Sequence, residues 1–96
     1  MKNYDEVYKA AIEKYGEGAQ LDQTIEELCE LIVAIQHYKR GKADRDAVLD
    51  EIADASIMIG QLRQIFKVST EELKEVQTNK VILLLAKIAE KDSEGL

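Results

Sequence analysis

Not one proline interrupts the chain, and only five glycines do. Proline breaks a helical hydrogen-bond ladder and glycine weakens it, so long stretches without either, rich in Glu, Lys, Leu, Ala and Ile, favour long helices. The fold this predicts is all-α. Ninety-six residues, 46% of them apolar, are enough for one domain over 1–96 and leave no room for two.

The apolar residues recur at spacings of three and four, which is the period of a helix face. A first helix is expected from about Asn3 to Tyr15, carrying Tyr4, Val7, Tyr8, Ala11, Ile12 and Tyr15 and ended by Gly16-Glu17-Gly18. A second, from about Ala19 to Arg40, has a stripe of Leu21, Ile25, Leu28, Ile32 and Ile35 and stops at Gly41. Asp44 or Asp46 can cap a third, which runs to about Lys67 with Val48, Ile52, Ala55, Ile59, Leu62 and Phe66 as its stripe. The tight loop makes these two an antiparallel hairpin over about 19–67. Ser69 followed by Glu72 is a capping box opening a last helix from about Thr70 to Lys91, with 92–96 expected to fray. Within it, Val81 to Ala86 is apolar in every direction, which a small bundle cannot hide by itself. A homo-oligomer, dimer or tetramer, completing a four-helix-bundle type core is therefore expected.

Several functions are disfavoured at once. Nineteen Asp/Glu against thirteen Lys/Arg give a net charge of -6, a sign that repels nucleic-acid backbones. The run Val81–Ala86 is far short of the roughly 20 residues that span a bilayer. The lone Cys29 closes no intrachain disulfide, and the first residues lack an apolar secretory stretch, so a cytoplasmic location is expected.

Chemistry is concentrated where acids fall on the hairpin. Glu27 and Glu30 lie on a flank of the second helix that continues as Leu31, Ala34 and Tyr38, and Glu51 and Asp54 on a flank of the third that continues as Met58 and Ile65. A solvated face would not continue into such residues. In an antiparallel hairpin turning near Arg40 and Gly41, Glu30 falls opposite Glu51 and Glu27 opposite Asp54. Four facing carboxylates raise one another's pKa and destabilise the fold unless a cation joins them. All-oxygen donors suit Mg²⁺, with Mn²⁺ a substitute, rather than zinc, and no Glu-x-x-His is present for di-iron chemistry. The plainer alternative is solvated charge, since acids three apart are common on exposed helices.

Glu26-Glu27-Leu28-Cys29-Glu30, then twenty residues, then Glu51-Ile52-Ala53-Asp54, resembles the EExxE and ExxD signature of the MazG-like all-α nucleoside triphosphate pyrophosphohydrolases. The resemblance covers the hairpin from about Gln20 to Phe66, and the outer helices only in length and order. It implies Mg²⁺-dependent hydrolysis of a (d)NTP to (d)NMP and pyrophosphate, with a role in nucleotide-pool cleansing. By position, Glu27, Glu30, Glu51 and Asp54 become metal ligands, and Glu30 or Glu26 the catalytic base. It also implies a cation and an amide from the last helix for the substrate, for which Lys80 and Asn79 are candidates, and an aromatic wall for the base from the first helix, for which Tyr8 is one. Sites shared among neighbouring chains are expected.

Each of these residues also has a structural reading. Lys80 and Lys87 suit a solvated basic face, and Tyr4 and Tyr8 suit core packing. Lys39, Arg40, Lys42 and Arg45 read as loop solvation, Tyr38 as packing under the loop, His37 as a capping cation, Cys29 as a small buried hydrophobe and Met58 as core. A helical assembly or regulatory module without catalysis is the rival function.

Overall fold

The computed structural model describes residues 3–94, and the side chains of 3–90. Four helices follow one another: α1 (Tyr4–Tyr15), α2 (Glu17–Lys39), α3 (Arg45–Ile65) and α4 (Thr70–Glu94). No strand occurs among the described residues. Local chemistry sets most of the boundaries. Asn3 Oδ1 accepts from the Glu6 amide at 2.9 Å and Asp44 Oδ1 from the Ala47 amide at 3.0 Å, so Asp44 rather than Asp46 caps α3. Gly16, at φ 90°, both ends α1 and precedes α2, and Gly18 is already inside α2. Gly41, at φ 71°, lets the chain turn out of α2 while the Lys42 amide bonds back to the His37 carbonyl.

The third helix stops at Ile65, short of Lys67. The Val68 amide reaches the Arg63 carbonyl at 2.8 Å and the Lys67 amide the Gln64 carbonyl at 3.2 Å, a closing pattern that places Lys67 at φ 55° where glycine is usual. Ser69 Oγ then accepts from the Glu72 amide at 3.0 Å and opens α4. That helix stays regular through Glu94, beyond the point where fraying was expected, and residues 95 and 96 lie outside the described residues.

The hairpin of α2 and α3 is the body of the fold, with α1 laid against it, mainly on α3. At the seam sit Ala55 and Met58, both buried, with three buried polar residues, Gln20, Thr24 and Gln61. Gln20 Nε2 donates to Gln61 Oε1 at 2.7 Å and Thr24 Oγ1 to the Gln20 carbonyl at 2.8 Å, so the buried polar atoms there are satisfied. The flank that bears the acids packs within the chain, while much of the richer apolar stripe, including Ile25, Ile32, Ile52, Ile59 and Phe66, is left exposed. Cys29 and Tyr38, read from sequence as buried or packed, are exposed too.

α4 stands apart. Among the described residues no α4 Cα comes within 8 Å of a Cα of α1, α2 or α3, and its base is fastened by one bond from Arg63 to Thr70 Oγ1 at 3.1 Å. The radius of gyration is accordingly 17.3 Å, against about 12–13 Å for a compact chain of this length. Along α4, Val81 through Leu85 are all exposed. No helix is long and apolar enough to cross a membrane among the described residues.

Candidate metal centre

The register of the hairpin decides which acids meet. Gln20 and Gln61 pair across the seam in the alignment that sets Glu27 opposite Asp54 and Glu30 opposite Glu51. Two to three turns along from that bond, Glu27 on α2 and Glu51 and Asp54 on α3 converge, each offering a carboxylate oxygen within 4.8 Å of the others. Glu27 and Glu51 are half-buried and Asp54 is exposed, so the cluster has a floor in the seam and an open mouth.

Glu30, the fourth acid, stands outside this triad and is exposed. It nevertheless feels the cluster. The charge of Glu27 is the first cause holding the Glu30 carboxyl above the usual carboxylate range, followed by desolvation, the charge of Glu51, a hydrogen bond with Glu27 and the charge of Glu26. Glu26 is exposed and lines a groove with Glu30, Val33, His37, Ala47 and Glu51. Both candidate bases therefore flank the triad's α2 side.

The triad is poorly compensated by protein. Gln23, four residues before Glu27 and so on the same face of α2, donates to Glu27 Oε1 at 2.8 Å. Glu27 Oε2 and Glu51 Oε2 are buried and have no hydrogen-bond partner. The one ion pair among the described residues, Arg45 with Asp46 at 3.4 Å, is a surface contact elsewhere on the hairpin. Buried carboxylate oxygens without donors are costly, and a hard divalent cation is the partner that three converging oxygen ligands suit. The residues present thus fit a divalent cation with oxygen ligands.

In its comparisons with known proteins the chain matches no family model, no curated protein and no solved structure. Its site is described by its own geometry alone.

Beside Asp54 runs a second groove, between α1 and α3, lined by Tyr4, Tyr8, Ala53, Ile57 and Gln61 among others. Tyr8 packs its ring against Gly60, where a side chain would collide with it, and lies 6.3 Å from the Tyr4 ring, centre to centre. Tyr8 thereby stands at the level of Gly60, six residues along α3 from Asp54. Asn79 and Lys80 have no such place: they ride on α4, which does not approach the acids of its own chain. Gln23 and Ile57 were not singled out from sequence. The spacing of four between Gln23 and Glu27 was the available signal for the first, and nothing local marked the second.

Proposed function

We propose that the chain is a Mg²⁺-dependent nucleoside triphosphate pyrophosphohydrolase that converts a (d)NTP to a (d)NMP and pyrophosphate and works as a homo-oligomer, dimer or tetramer. The observation that carries this reading is the triad of Glu27, Glu51 and Asp54 with its two buried, unpartnered oxygens. The MazG-like spacing of the same residues supplies the reaction class.

Glu27, Glu51 and Asp54 hold the divalent ion, and Glu30 completes the set from the mouth of the cluster. When bound there, the ion neutralises charge on the triphosphate and makes a water more acidic. The chain's own part is to aim the substrate and move a proton. The oxygen of a water attacks the α-phosphorus, the bond from that phosphorus to the α–β bridging oxygen breaks, and pyrophosphate leaves with that oxygen. The water's proton passes to a carboxylate. Glu30 suits this role because its raised pKa makes it a stronger base than an ordinary carboxylate, and Glu26 is the second candidate. The groove beside Asp54, with Tyr8 on its α1 wall, offers an apolar and aromatic bed for a nucleobase.

The test is to incubate purified protein with a panel of dNTPs and Mg²⁺ and assay pyrophosphate separately from orthophosphate. Pyrophosphate in step with monophosphate is the expected result; orthophosphate alone places the chain in another hydrolase class. A second reading, a helical assembly module without turnover, is favoured by one observation: the cationic α4 residues lie away from the cluster in the same chain. No product from any nucleotide would favour it.

A further inference from the structure

We infer that Gln23 is a positioning residue for the ion: its side-chain amide holds the Glu27 carboxylate in the orientation that offers Oε2 to the triad. This rests on the metal-binding part of the reading above, and not on turnover or on the identity of the substrate.

Little else holds the three acids. Among the described residues Gln23 is the one amide that donates to a triad acid, at 2.8 Å to Glu27 Oε1, and no Lys or Arg lies within ion-pairing distance of one. Glu51 has no such donor, although its Oε2 is buried too. A glutamate carries three rotatable bonds and two equivalent oxygens, so an untethered one presents either oxygen over a range of directions. The bond from Gln23 removes that freedom. With Oε1 drawn back along α2 toward the preceding turn, Oε2 is the oxygen left for the seam, where it is buried and unpartnered.

The donor's chemistry matters as much as its place. A lysine or arginine at this position would set its own positive charge against that of an arriving ion. A neutral amide fixes the geometry and leaves the carboxylate's charge to the ion. Ligating carboxylates are commonly held by such outer hydrogen bonds, whose loss typically costs about 10–100-fold in metal affinity. Gln23 is itself half-buried and stands one turn beyond Gln20, whose bond to Gln61 pins this stretch of α2 on α3. A spacing of four also occurs in ordinary helix-surface pairs, but such a pair has no reason to respond when a cation binds the far oxygen.

The test has two readouts, and neither involves nucleotide. Mn²⁺ is titrated calorimetrically into wild type, Gln23→Met, Glu27→Gln and the double variant, with circular dichroism as the control for helicity. Methionine keeps the length of glutamine and removes the donor. The expected Kd for Gln23→Met is about tenfold or more above that of wild type. In the Glu27→Gln background the same change should cost nothing further, because the amide acts only through that carboxylate. An equal loss in both backgrounds, or no loss in either, overturns the inference while the ion site stands. A wild type that takes up no Mn²⁺ removes the site and the inference with it. The second readout uses the wild type alone, and decides if Gln23→Met unfolds or Glu27→Gln binds too weakly to titrate. In proton–nitrogen spectra the Gln23 side-chain amide should shift in step with Mg²⁺ saturation. The amide of Gln64, which donates to the Asp5 carbonyl ten residues along α3 from Asp54, should stay still. A Gln23 resonance that does not move as the ion binds overturns the inference.

Discussion

The amide of Gln20 donates to the side-chain carbonyl of Gln61 at 2.7 Å, forty-one residues away in sequence and buried in the seam between α2 and α3. A hairpin held only by apolar contact can slide by a turn; a buried amide pair cannot, because any other register leaves both groups unsatisfied. Gln61→Leu strands the Gln20 amide and should lower stability by about 1–3 kcal/mol. Replacing both glutamines by leucine removes the stranded group and should recover part of that loss. Denaturant midpoints of the two single variants and the double variant check this, and additive losses would refute the pairing.

The same register brings Glu27, Glu51 and Asp54 together, so metal affinity should depend on each. Asp54→Asn and Glu51→Gln should each weaken Mn²⁺ binding, measured by calorimetry, by about tenfold or more, the equivalent of about 1.4 kcal/mol. Asp54→Asn should also abolish turnover while the helical signal stays intact. Undiminished Mn²⁺ uptake in both variants would show that these carboxylates hold no ion.

Metal and pH should act on stability through one group in particular. Glu30 has its pKa raised in the folded chain, first by the charge of Glu27. Across the window between its unfolded and folded values the native state binds the extra proton, so stability falls as pH rises through that window. Above it the charged Glu30 opposes folding; below it the penalty is gone. Glu30→Gln in metal-free protein should therefore raise the melting temperature at neutral pH and flatten the acid-side slope contributed by this group. Adding Mg²⁺ or Mn²⁺ should narrow the difference from wild type. Identical pH profiles for the two proteins would remove Glu30 from the cluster's field.

Much of this was legible in the chain. The proline-free helical periodicity yields the four helices, Asp44 and Gly41 bound the loop, and the antiparallel count across that loop places Glu27 by Asp54. What the apolar stripes do not tell is whether the chain itself covers them. Hydrophobic periodicity marks an apolar face without saying whether anything covers it. Ile25, Ile32, Ile52 and Ile59 make the strongest stripes and are exposed in the single chain, whereas Gln20, Thr24 and Gln61, which no hydrophobic count selects, occupy the seam. Cys29 was misplaced for the same reason. The outward course of α4 was illegible because the angle at which a helix leaves a short connection depends on Lys67 holding a left-handed conformation, which its side chain does not advertise. Glu30 fell outside the triad by one turn, a distinction that the spacing of acids alone does not draw.

The contact of Tyr8 with Gly60 gives a prediction whose sign discriminates. Within an unencumbered helix, Gly→Ala stabilises by about 0.5–1 kcal/mol, because alanine loses less backbone freedom on folding. Gly60 lies inside α3, yet a Cβ there would run into the Tyr8 ring. Gly60→Ala should therefore destabilise, by about 1–3 kcal/mol, as α1 is pushed outward. Pairing it with Tyr8→Ala clears the ring from the site, so that in the Tyr8→Ala background the same Gly60→Ala change should become neutral or stabilising. The thermal midpoints of wild type, both single variants and the double variant form a closed cycle, with the coupling read as the departure from additivity. A stabilising Gly60→Ala in the wild-type background would mean that α1 does not lie on α3 in this way. The groove beside Asp54 would then lose its α1 wall.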